Sequence, residues 1–592
     1  MRWQPGKTQH LEGADPTSPT VPSSLSLDGY PLFPLRFLLS LSILLCGVFP
    51  IFPVPTFGQE EEIEEEALDP EAGWVLQDWL ADLEANPLDV NQAPAAVLGA
   101  LPGLLADQAD RIVSWRILHG PFRSVAELSK IEGLDEDTVA RLARYLACPQ
   151  PLAEIRRFAV GPPKLQSRVR LWCPDGGESL PPLAEWTAYS RILLSAGEAL
   201  RVGVVTEKDP GETNAFDFVA GYAELRDRLG FDQIVLGDFR PEFGQGLLFS
   251  RSSRAMDGLG FARKRPTQAV GYQSSTETGA LRGLFLRRRL GAFEGVLFGA
   301  RTRSDATLGR SGEVTGFSFV GRHVTQAEKA RKDALTEGLV AARLQWHRTA
   351  QGRPGERTQV GLTLAHARFS PSLARRDPER DHFAFIGSRI THLSLDWDLF
   401  LLGLNGFGEV VCSPQGGNGL VAGWVRRDGP FILESLIRAY DPRFRSFHGS
   451  GFAASASENG NEIGAFNSMV WRIRSGSQLA LYYDQHRTPW RSYLTVLPNE
   501  GARWGAELRH RLSGSFETLV RVRRSHGQTT PSIDGEYTLT DWHRSELRWE
   551  GQWRSGSRFR LKSRVEHILA GEERGSLLFG DLRVNPRKRW VL

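Results

Sequence analysis

Apolar and polar residues alternate strictly in short segments through the long C-terminal part of this 592-residue chain. In Val340–His347 the even positions are apolar or aromatic, and in Phe559–Glu566 the odd positions are mostly apolar and the even ones charged. A period of two is typical of β-strands that have one apolar and one charged face. Turns rich in Ser and Gly at 474–477, 512–515 and 554–557 separate neighbouring segments and predict hairpins.

Two architectures produce this alternation. A soluble β-sandwich or propeller would bury the apolar face, whereas a membrane barrel would turn it to lipid and turn the charged face to a polar lumen. The barrel is favoured because Trp and Tyr fall near strand ends, as at Tyr189, and because no blade repeat occurs. We predict an all-β antiparallel transmembrane barrel over 163–592, of roughly 16–20 strands, with the longer loops 305–313 and 524–536 opposite the short turns.

The residues before the barrel follow a different pattern. An apolar run at 37–48, preceded by Arg36 and followed by prolines, has the length of a signal-peptide core. We therefore expect residues 1–58 to be a signal peptide with an extended N-region. Residues 59–85 predict an acidic linker and an amphipathic helix, and residues 148–162 a second linker.

Residues 86–147 carry the start and stop signals of short helices, and they predict a small all-α domain. Asn91, Asp107 and Asp135 can each cap a helix, and Ser124–Glu127 is a capping box that predicts a further helix. The predicted result is two helical hairpins in tandem.

Several motifs in this domain resemble the tandem helix-hairpin-helix domain of the competence DNA-receptor (ComEA-like) family. They are Leu101-Pro102-Gly103, His119-Gly120-Pro121-Phe122 and Leu128-x-x-Ile131-x-Gly133. In DNA-binding members of that family a Gly-x-Gly turn in each hairpin holds a phosphate through backbone amides. The positions that the resemblance implicates in phosphate or DNA contact are Pro102, Gly103, Leu104, Gly133 and Leu134. Leu105 and Asp135 replace the second glycine of each turn here, which disfavours DNA binding.

The net charge of +3 conceals two oppositely charged parts. Residues 60–150 contain 6 basic and 19 acidic residues, a net charge of −13, and residues 151–592 carry +16. Sequence-independent DNA affinity comes from cations that meet phosphates, so an acidic helical domain is a poor candidate for it. A lumen rich in arginine attracts anions in general.

Motifs in the barrel resemble a family of outer-membrane barrels that carry an N-terminal helix-hairpin-helix domain. They are Leu236-Gly237-Asp238-Phe239, Phe243-Gly244-Gln245-Gly246-Leu247, Asn461-Glu462-x-Gly464, Tyr482-Tyr483-Asp484 and Pro489-Trp490. This resemblance implies an outer-membrane location with the helical domain in the periplasm, and it implies no particular activity.

Five residues in these motifs are candidate lumen or plug contacts: Gly244, Gln245, Gly246, Glu462 and Asp484. Two glycines inside a strand context predict a bend where another backbone approaches, such as that of an inner plug. The pair Tyr482-Tyr483 is interpreted as part of an interfacial aromatic girdle, with Asp484 as a lumenal acid. Asn461-Glu462 is read either as an acid cluster with Glu458 or as ordinary lumen lining.

The chain contains no phosphate loop, dinucleotide fingerprint, HExxH, GxSxG or CxxC motif, and its 13 histidines show no ligand spacing. We therefore expect no enzyme activity, cofactor or metal. The favoured function is a channel, transport or assembly barrel whose helical domain docks a periplasmic protein or plugs the pore. The alternative is a DNA-binding uptake receptor. The expected partners are outer-membrane lipid and a periplasmic protein, with DNA disfavoured.

Overall fold

The structure is a computed structural model that describes residues 87–148 and 163–584, with short internal gaps of which the longest is 251–268. The predicted signal peptide, the segment 59–85 and residues 149–162 of the predicted linker lie outside the described residues. Within the described ranges, no helix is both long and apolar enough to cross a bilayer.

The elements whose bounds fall within the described residues of the small N-terminal domain are two α-helices, one 3₁₀ helix and one parallel strand pair. These are β1 (Leu88–Asp89), α1 (Ala106–His119), the 3₁₀ helix Val125–Lys130, α2 (Glu136–Leu142) and β2 (Leu146–Ala147). Its core is formed by buried apolar side chains, among them Val90, Leu98, Ile112, Phe122, Leu128 and Leu142. The domain therefore has a hydrophobic core of its own.

Two of the predicted caps act differently in the structure. The side chain of Asn91 exchanges hydrogen bonds with the backbone of Phe122, at 2.7 and 2.9 Å, and so ties the start of the domain to the turn after α1. A helix follows Ser124 as predicted, but it is a 3₁₀ helix of six residues, and the predicted capping box does not form because the Ser124 side chain makes no cap hydrogen bond. Glu127 instead accepts from the Arg123 backbone at 2.7 Å and pairs with Lys130 at 2.9 Å.

The rest of the described chain forms one closed antiparallel barrel, which confirms the predicted sheet class. The first ten wall strands are β3 (Pro163–Trp172), β4 (Thr187–Ala196), β5 (Leu200–Lys208), β6 (Phe218–Arg228), β7 (Phe231–Arg240), β9 (Leu281–Leu290), β10 (Phe293–Ser304), β13 (Leu335–Thr349), β14 (Arg357–Leu373) and β15 (Gly387–Leu401). The other ten are β16 (Leu404–Ser413), β17 (Gly417–Asp428), β18 (Phe431–Tyr440), β19 (Glu462–Arg474), β20 (Ser477–Thr488), β21 (Asn499–Arg511), β22 (Phe516–Thr529), β25 (Thr540–Ser555), β26 (Phe559–Ala570) and β27 (Glu573–Val584).

Several connections between wall strands contain short strands or a short helix. They are β8 (Val270–Gly271), β11 (Ala306–Leu308), β12 (Val314–Phe317), α3 (Gln326–Arg331), β23 (Ser532–Ile533) and β24 (Glu536–Tyr537). Each wall strand from β3 to β27 pairs with the next wall strand in antiparallel register, and the strand order places β27 next to β3. The twenty wall strands of the described chain are at the upper end of the predicted number.

The apolar face of the wall points outward. On β13, Val340 and Leu344 are 59% and 55% exposed, whereas the intervening Ala341 and Arg343 are buried. The same alternation exposes Leu561 and Val565 on β26. A soluble sheet would show the opposite arrangement, because water would meet its charged face. An outward apolar surface is the arrangement of a transmembrane barrel.

The two ends of the barrel differ in the length of their connections. At one end, called the short-turn end, most connections are brief, as at 197–199, 229–230 and 475–476. The opposite, long-loop end holds the connections 241–280, 305–334 and 441–461. Because the wall is an antiparallel run of twenty strands, β3 begins and β27 ends at the short-turn end.

The predicted bounds of two long loops need correction. Residues 524–529 are the last part of β22, so that connection covers only 530–539. Part of 305–313 is the short strand β11. In both places strand pairing, of β11 with β12 and of β22 with β25, extends further along the chain than the turn composition indicates.

An arginine on the outward face tests whether that face lies in lipid. Replacing Leu364, in the middle of β14, by arginine should destabilise the barrel in lipid vesicles. Its free energy of unfolding should fall by about 2–4 kcal/mol, because an arginine at the bilayer midplane is poorly solvated. Leu401→Arg, at the end of β15, is the control and should cost about 0–1 kcal/mol. Tryptophan fluorescence during denaturant titration measures both, and equal small effects would contradict a lipid-facing wall.

Candidate channel lumen and its inner loops

Residues 241–250, called inner loop 1, follow β7 and fold into the lumen. Gly244 and Gly246 have φ angles of +55° and +88°, and this left-handed backbone lets the loop turn back on itself. Leu247 and Phe249 are thereby buried, and the Phe249 ring meets the ring of Phe298 on β10 with centroids 5.3 Å apart. Inner loop 1 is thus packed against the wall by apolar side chains.

A carboxylate of the wall holds the same loop by its backbone. The backbone N–H groups of Gln245 and Leu247 donate to Glu409 Oε2 at 2.7 and 3.0 Å, and Ser394 Oγ donates to Oε1 at 2.8 Å. A Cβ added at Gly244 would lie 2.7 Å from Glu409 Oε2, so only glycine fits there. Successive backbone N–H groups in such a turn form an anion-binding nest, which Glu409 fills.

Residues 441–454 and 460–461, called inner loop 2, enter the lumen beside inner loop 1. Ser450 N donates to Gly246 O at 2.8 Å, and Ser250 N donates to His448 O at 2.9 Å, so the two loops are hydrogen-bonded to each other. Tyr440 Oη donates to Phe452 O at 2.7 Å. The two loops therefore form one packed unit inside the barrel.

His448 connects inner loop 2 to the wall. Its Nε2 lies 2.9 and 3.1 Å from the two carboxylate oxygens of Glu337 on β13, and its ring stacks on Phe249. Burial by itself would lower the pKa of His448, but the carboxylate of Glu337 outweighs burial and raises it above the ordinary value. The contact is therefore an ion pair over a wider pH range than an isolated histidine would allow.

Two of the predicted site residues meet at one arginine. Arg438 on β18 donates to both oxygens of Asp484, at 2.6 and 3.0 Å, and it also pairs with Glu462. Glu462 in turn accepts the backbone N–H of Ala454 in inner loop 2, at 3.0 Å. The two acids thus flank a buried cation. A buried charge is tolerated when it is paired in this way. Glu458, the other member of the acid cluster considered from sequence, lies outside the described residues.

The interpretation of Tyr482-Tyr483 as a girdle is wrong for its first residue. Tyr482 is buried on the lumen side, on the same face as Asp484, and Tyr483 is exposed on the outer face. Tyr189 is buried as well, with Arg170 over its ring at 5.3 Å, so it does not belong to an interfacial girdle.

The inward face of β21, β22, β25 and β26, called the basic sector, has a different character. Its basic residues are Arg503, Arg509, Arg511, Arg521, Arg523, Arg544, Arg548, Arg560, Lys562 and Arg564, and its acidic residues are Glu507, Glu517, Glu546, Glu550 and Glu566. Among the described side chains of this face ten are basic and five are acidic, and most of them are half-buried. Among the described residues, the apolar core of the barrel does not extend onto these four strands.

Cross-strand ion pairs order part of the basic sector. Arg521 Nε lies 2.7 Å from Glu507 Oε2, and Arg548 Nε lies 3.0 Å from Glu566 Oε2. Since basic groups outnumber acidic ones, the sector keeps a positive surplus. The lumen thus has one side packed by the inner loops and one side that is charged and partly wet.

The predicted phosphate contacts of the small domain lie in or near its turns. Leu104 and Leu134 are buried in the domain core, and their backbone N–H groups donate to Leu101 O and Ile131 O at 3.2 and 3.1 Å. Pro102, Gly103 and Gly133 lie outside the described residues, as do the replaced positions Leu105 and Asp135.

Sequence reasoning missed the wall residues that hold the inner loops. Glu409, Glu337 and Arg438 each stand at an inward position of a strand, where the alternation indicates only a lumenal side chain. Their partners are distant in the chain, and Glu409 meets a backbone 164 residues away. The sequence does carry one signal for such residues, a charged residue whose neighbours on the same inward face are apolar. Glu409 is an example, since it lies between Phe407 and Val411 on that face.

Comparison with known proteins identifies a relationship for the small domain. Residues 84–147 match the helix-hairpin-helix motif family. Over 81 residues the chain is 36% identical to the photosystem II extrinsic protein U, chloroplastic, of Griffithsia japonica, an alignment that covers 13% of this chain and 50% of that protein. The chain thus spans half the length of this relative.

Among solved structures, the barrel is similar to three outer-membrane proteins. The opdK protein of Pseudomonas aeruginosa is 13% identical over 69% of this chain and 97% of its own, with a TM-score of 0.31. OccK2 (OpdF) of the same species is 14% identical over 69% and 96%, with a TM-score of 0.32. OmpT of Vibrio cholerae is 8% identical over 67% and 98%, with a TM-score of 0.25. At such TM-scores these likenesses do not define the fold, which the strand order given above defines.

Loss of the Glu409 carboxylate should loosen inner loop 1. Glu409→Ala leaves two backbone N–H groups without their acceptor, at a cost of about 1–3 kcal/mol each. Amide hydrogen exchange at Gln245 and Leu247 should accelerate accordingly, and Glu409→Gln, which keeps one carbonyl acceptor, should show a smaller effect. Glu434→Ala, at a buried wall carboxylate of β18, is the control. Unchanged exchange in Glu409→Ala would show that the nest does not hold the loop.

The ion pair of His448 should make inner loop 2 sensitive to pH. The raised pKa means that the pair is fully formed below the ordinary histidine pKa and is lost as the pH rises through the raised value. Exchange of the amides of 444–454, corrected for intrinsic rates, should therefore accelerate as the pH rises from below the ordinary histidine pKa through the raised one. His448→Gln should abolish this dependence, and His382→Gln, at an exposed loop histidine, should retain it. A dependence that survives His448→Gln would assign it to other groups.

Proposed function

We propose that this protein is an outer-membrane channel for anions, in which solute passes along the basic sector and beside the two inner loops. The helix-hairpin-helix domain is proposed to dock a periplasmic protein. The observation that carries the proposal is the division of the lumen into a packed side and a half-exposed side, which has ten basic and five acidic groups among the described residues.

The wall itself supports an outer-membrane location. Its outward face is apolar, and its described wall strands are even in number. One end has short connections and the other has long ones. These features are typical of outer-membrane barrels. In such barrels the short turns face the periplasm. Because β3 begins at the short-turn end, the small domain is attached on that side, through the 14 residues 149–162. A segment of that length reaches at most about 50 Å, so the domain stays near the periplasmic mouth.

The charge of the lumen supports anions as the solute. Low-dielectric walls around a charged cleft focus its field and raise the local concentration of counter-ions. Rings of arginine and lysine are a recurrent means of anion selection in pores. The basic sector combines such residues with partial exposure, whereas the buried charges opposite are matched by close partners.

The small domain supports protein docking more than DNA uptake. Residues 86–147 contain 6 basic and 8 acidic groups, which gives little attraction for phosphates. Two of the turn amides that the resemblance implicates, at Leu104 and Leu134, already donate to carbonyls within the domain. The relative from Griffithsia japonica is named as an extrinsic protein of photosystem II, which is a protein assembly. Docking is therefore the use of the domain that we propose.

Conductance of the full chain in planar bilayers tests the channel. In a potassium chloride gradient, the reversal potential of the wild type should show an anion preference. The double variant Arg503→Gln/Arg523→Gln should reduce the anion-to-cation permeability ratio roughly threefold, because two of the focusing charges are lost. Arg524→Gln is the matched control, since Arg524 neighbours Arg523 on the same strand but shares the outer face with Trp504.

Three results would count against the proposal. A refolded wild type without conductance would exclude an open channel. A cation preference would exclude the basic sector as the selective wall. An equal effect of Arg524→Gln and the double variant would show that surface charge, and not the lumen, sets the selectivity.

A further inference from the structure

Two connections at the long-loop end meet at a group of side chains that the channel does not use. The connection 209–217, between β5 and β6, contributes Glu212 and Asp217, and the connection 305–334 contributes His323. One donor atom from each of these three residues lies within 4.8 Å of the other two. The side chains of Glu212 and His323 are 3% and 5% exposed, so the group is enclosed by protein.

The backbone holds Glu212 in place. The N–H of Asp209 donates to Oε2 at 3.0 Å and the N–H of His323 donates to Oε1 at 2.9 Å. Oε1 also lies 3.8 Å from His323 Nδ1, which contacts the carboxylate of Asp217 on its other side. One imidazole nitrogen and two carboxylates thus converge on a common point.

The far side of the imidazole is oriented by a third carboxylate. Asp305 Oδ2 lies 2.6 Å from His323 Nε2. A histidine that ligates a metal through one ring nitrogen usually donates its other ring N–H to a carboxylate, which fixes the tautomer and raises ligand basicity. Asp305 stands where that second carboxylate belongs, and Nδ1 is left to face Glu212 and Asp217.

The net charge of the group suits a divalent cation. Glu212, Asp217 and Asp305 carry three negative charges, and the Lys332 ammonium, which contacts Asp217 and lies 3.4 Å from His323 Nδ1, carries one positive charge. With a neutral imidazole the group is therefore at −2. The charged residues around it cancel, namely Lys208, Asp209, Arg322 and Glu328. The Lys332 side chain is 34% exposed and follows directly after α3, so it can withdraw towards solvent.

We propose that Glu212, Asp217 and His323 form a binding site for one divalent transition-metal ion, which joins the two connections at the long-loop end. The mixed nitrogen and oxygen donor set suits Zn²⁺ or Mn²⁺, whereas Ca²⁺ and Mg²⁺ prefer oxygen ligands alone. Three protein ligands leave at least one coordination position for water. When the metal is absent, the Lys332 ammonium pairs with Asp217, and it therefore competes with a metal ion for that carboxylate.

Calorimetric titration of metal-stripped, full-length protein in detergent with Zn²⁺ tests the site. The wild type should bind one ion per chain at this site, and Ca²⁺ should bind far more weakly. His323→Gln and Glu212→Gln should each weaken Zn²⁺ binding at least tenfold, and Asp305→Asn should weaken it roughly tenfold through loss of the orienting carboxylate. Lys332→Met should strengthen binding because the competing cation is removed.

His382→Gln is the matched control, since His382 is an exposed histidine in another connection at the same end. It should leave the stoichiometry and the affinity unchanged. Heat-modifiable gel mobility reports whether each variant is folded, and the absorption spectrum of the Co²⁺-loaded wild type reports imidazole and carboxylate coordination without any variant. Equal Zn²⁺ affinity in the wild type, His323→Gln and Glu212→Gln would overturn the proposal. A Co²⁺ spectrum identical to that of the hydrated ion would overturn it as well. Neither readout depends on whether the barrel conducts.

Discussion

Backbone hydrogen bonding in a solvent without water is the constraint on which the rest of this structure depends. A strand that faces lipid has no water for its N–H and C=O groups, so it needs a paired neighbour on each side, and a sheet meets this need only by closing. The paired strands run without interruption from β3 to β27, and the strand order places β27 next to β3. Once the wall is closed, strict alternation assigns every second side chain to the lumen. The apolar set faces out, so the charged set must face in, where it needs either partners or water.

The inner loops supply partners on one side of the lumen. Glu409 would lose two of its three described donors and keep Ser394 if the backbone of inner loop 1 did not donate to it, and Arg438 is held between Asp484 and Glu462. Loops and wall therefore satisfy each other, since each loop presents backbone N–H groups that would be costly to bury alone. The glycine at 244 is a direct consequence, because any side chain there would collide with the carboxylate that the loop binds.

The parts of this fold that were predictable from sequence are those that depend on neighbours along the chain. The alternation at Val340–His347 and the turns at 475–476 and 512–515 predicted strands, faces and short connections correctly. What could not be predicted depends on contacts across large separations, such as Glu409 with Gln245, 164 residues apart, and His323 with Glu212, 111 residues apart. The two glycines of inner loop 1 indicated a bend but not its direction. The predicted capping box at Ser124 does not form, since its glutamate accepts from the backbone of Arg123, one residue before the expected cap.

Packing also determines where an unbalanced charge can reside. On the side filled by the inner loops the dielectric is low, so an unmatched charge would cost several kcal/mol, and Arg343 and Arg438 accordingly have carboxylate partners. On the basic sector the side chains are half-buried, and water and salt screen a surplus of cations at modest cost. The described surplus of cations therefore lies on strands whose inward side chains are half-buried. Packing on one side of the lumen thus leaves the remaining positive field along the basic sector.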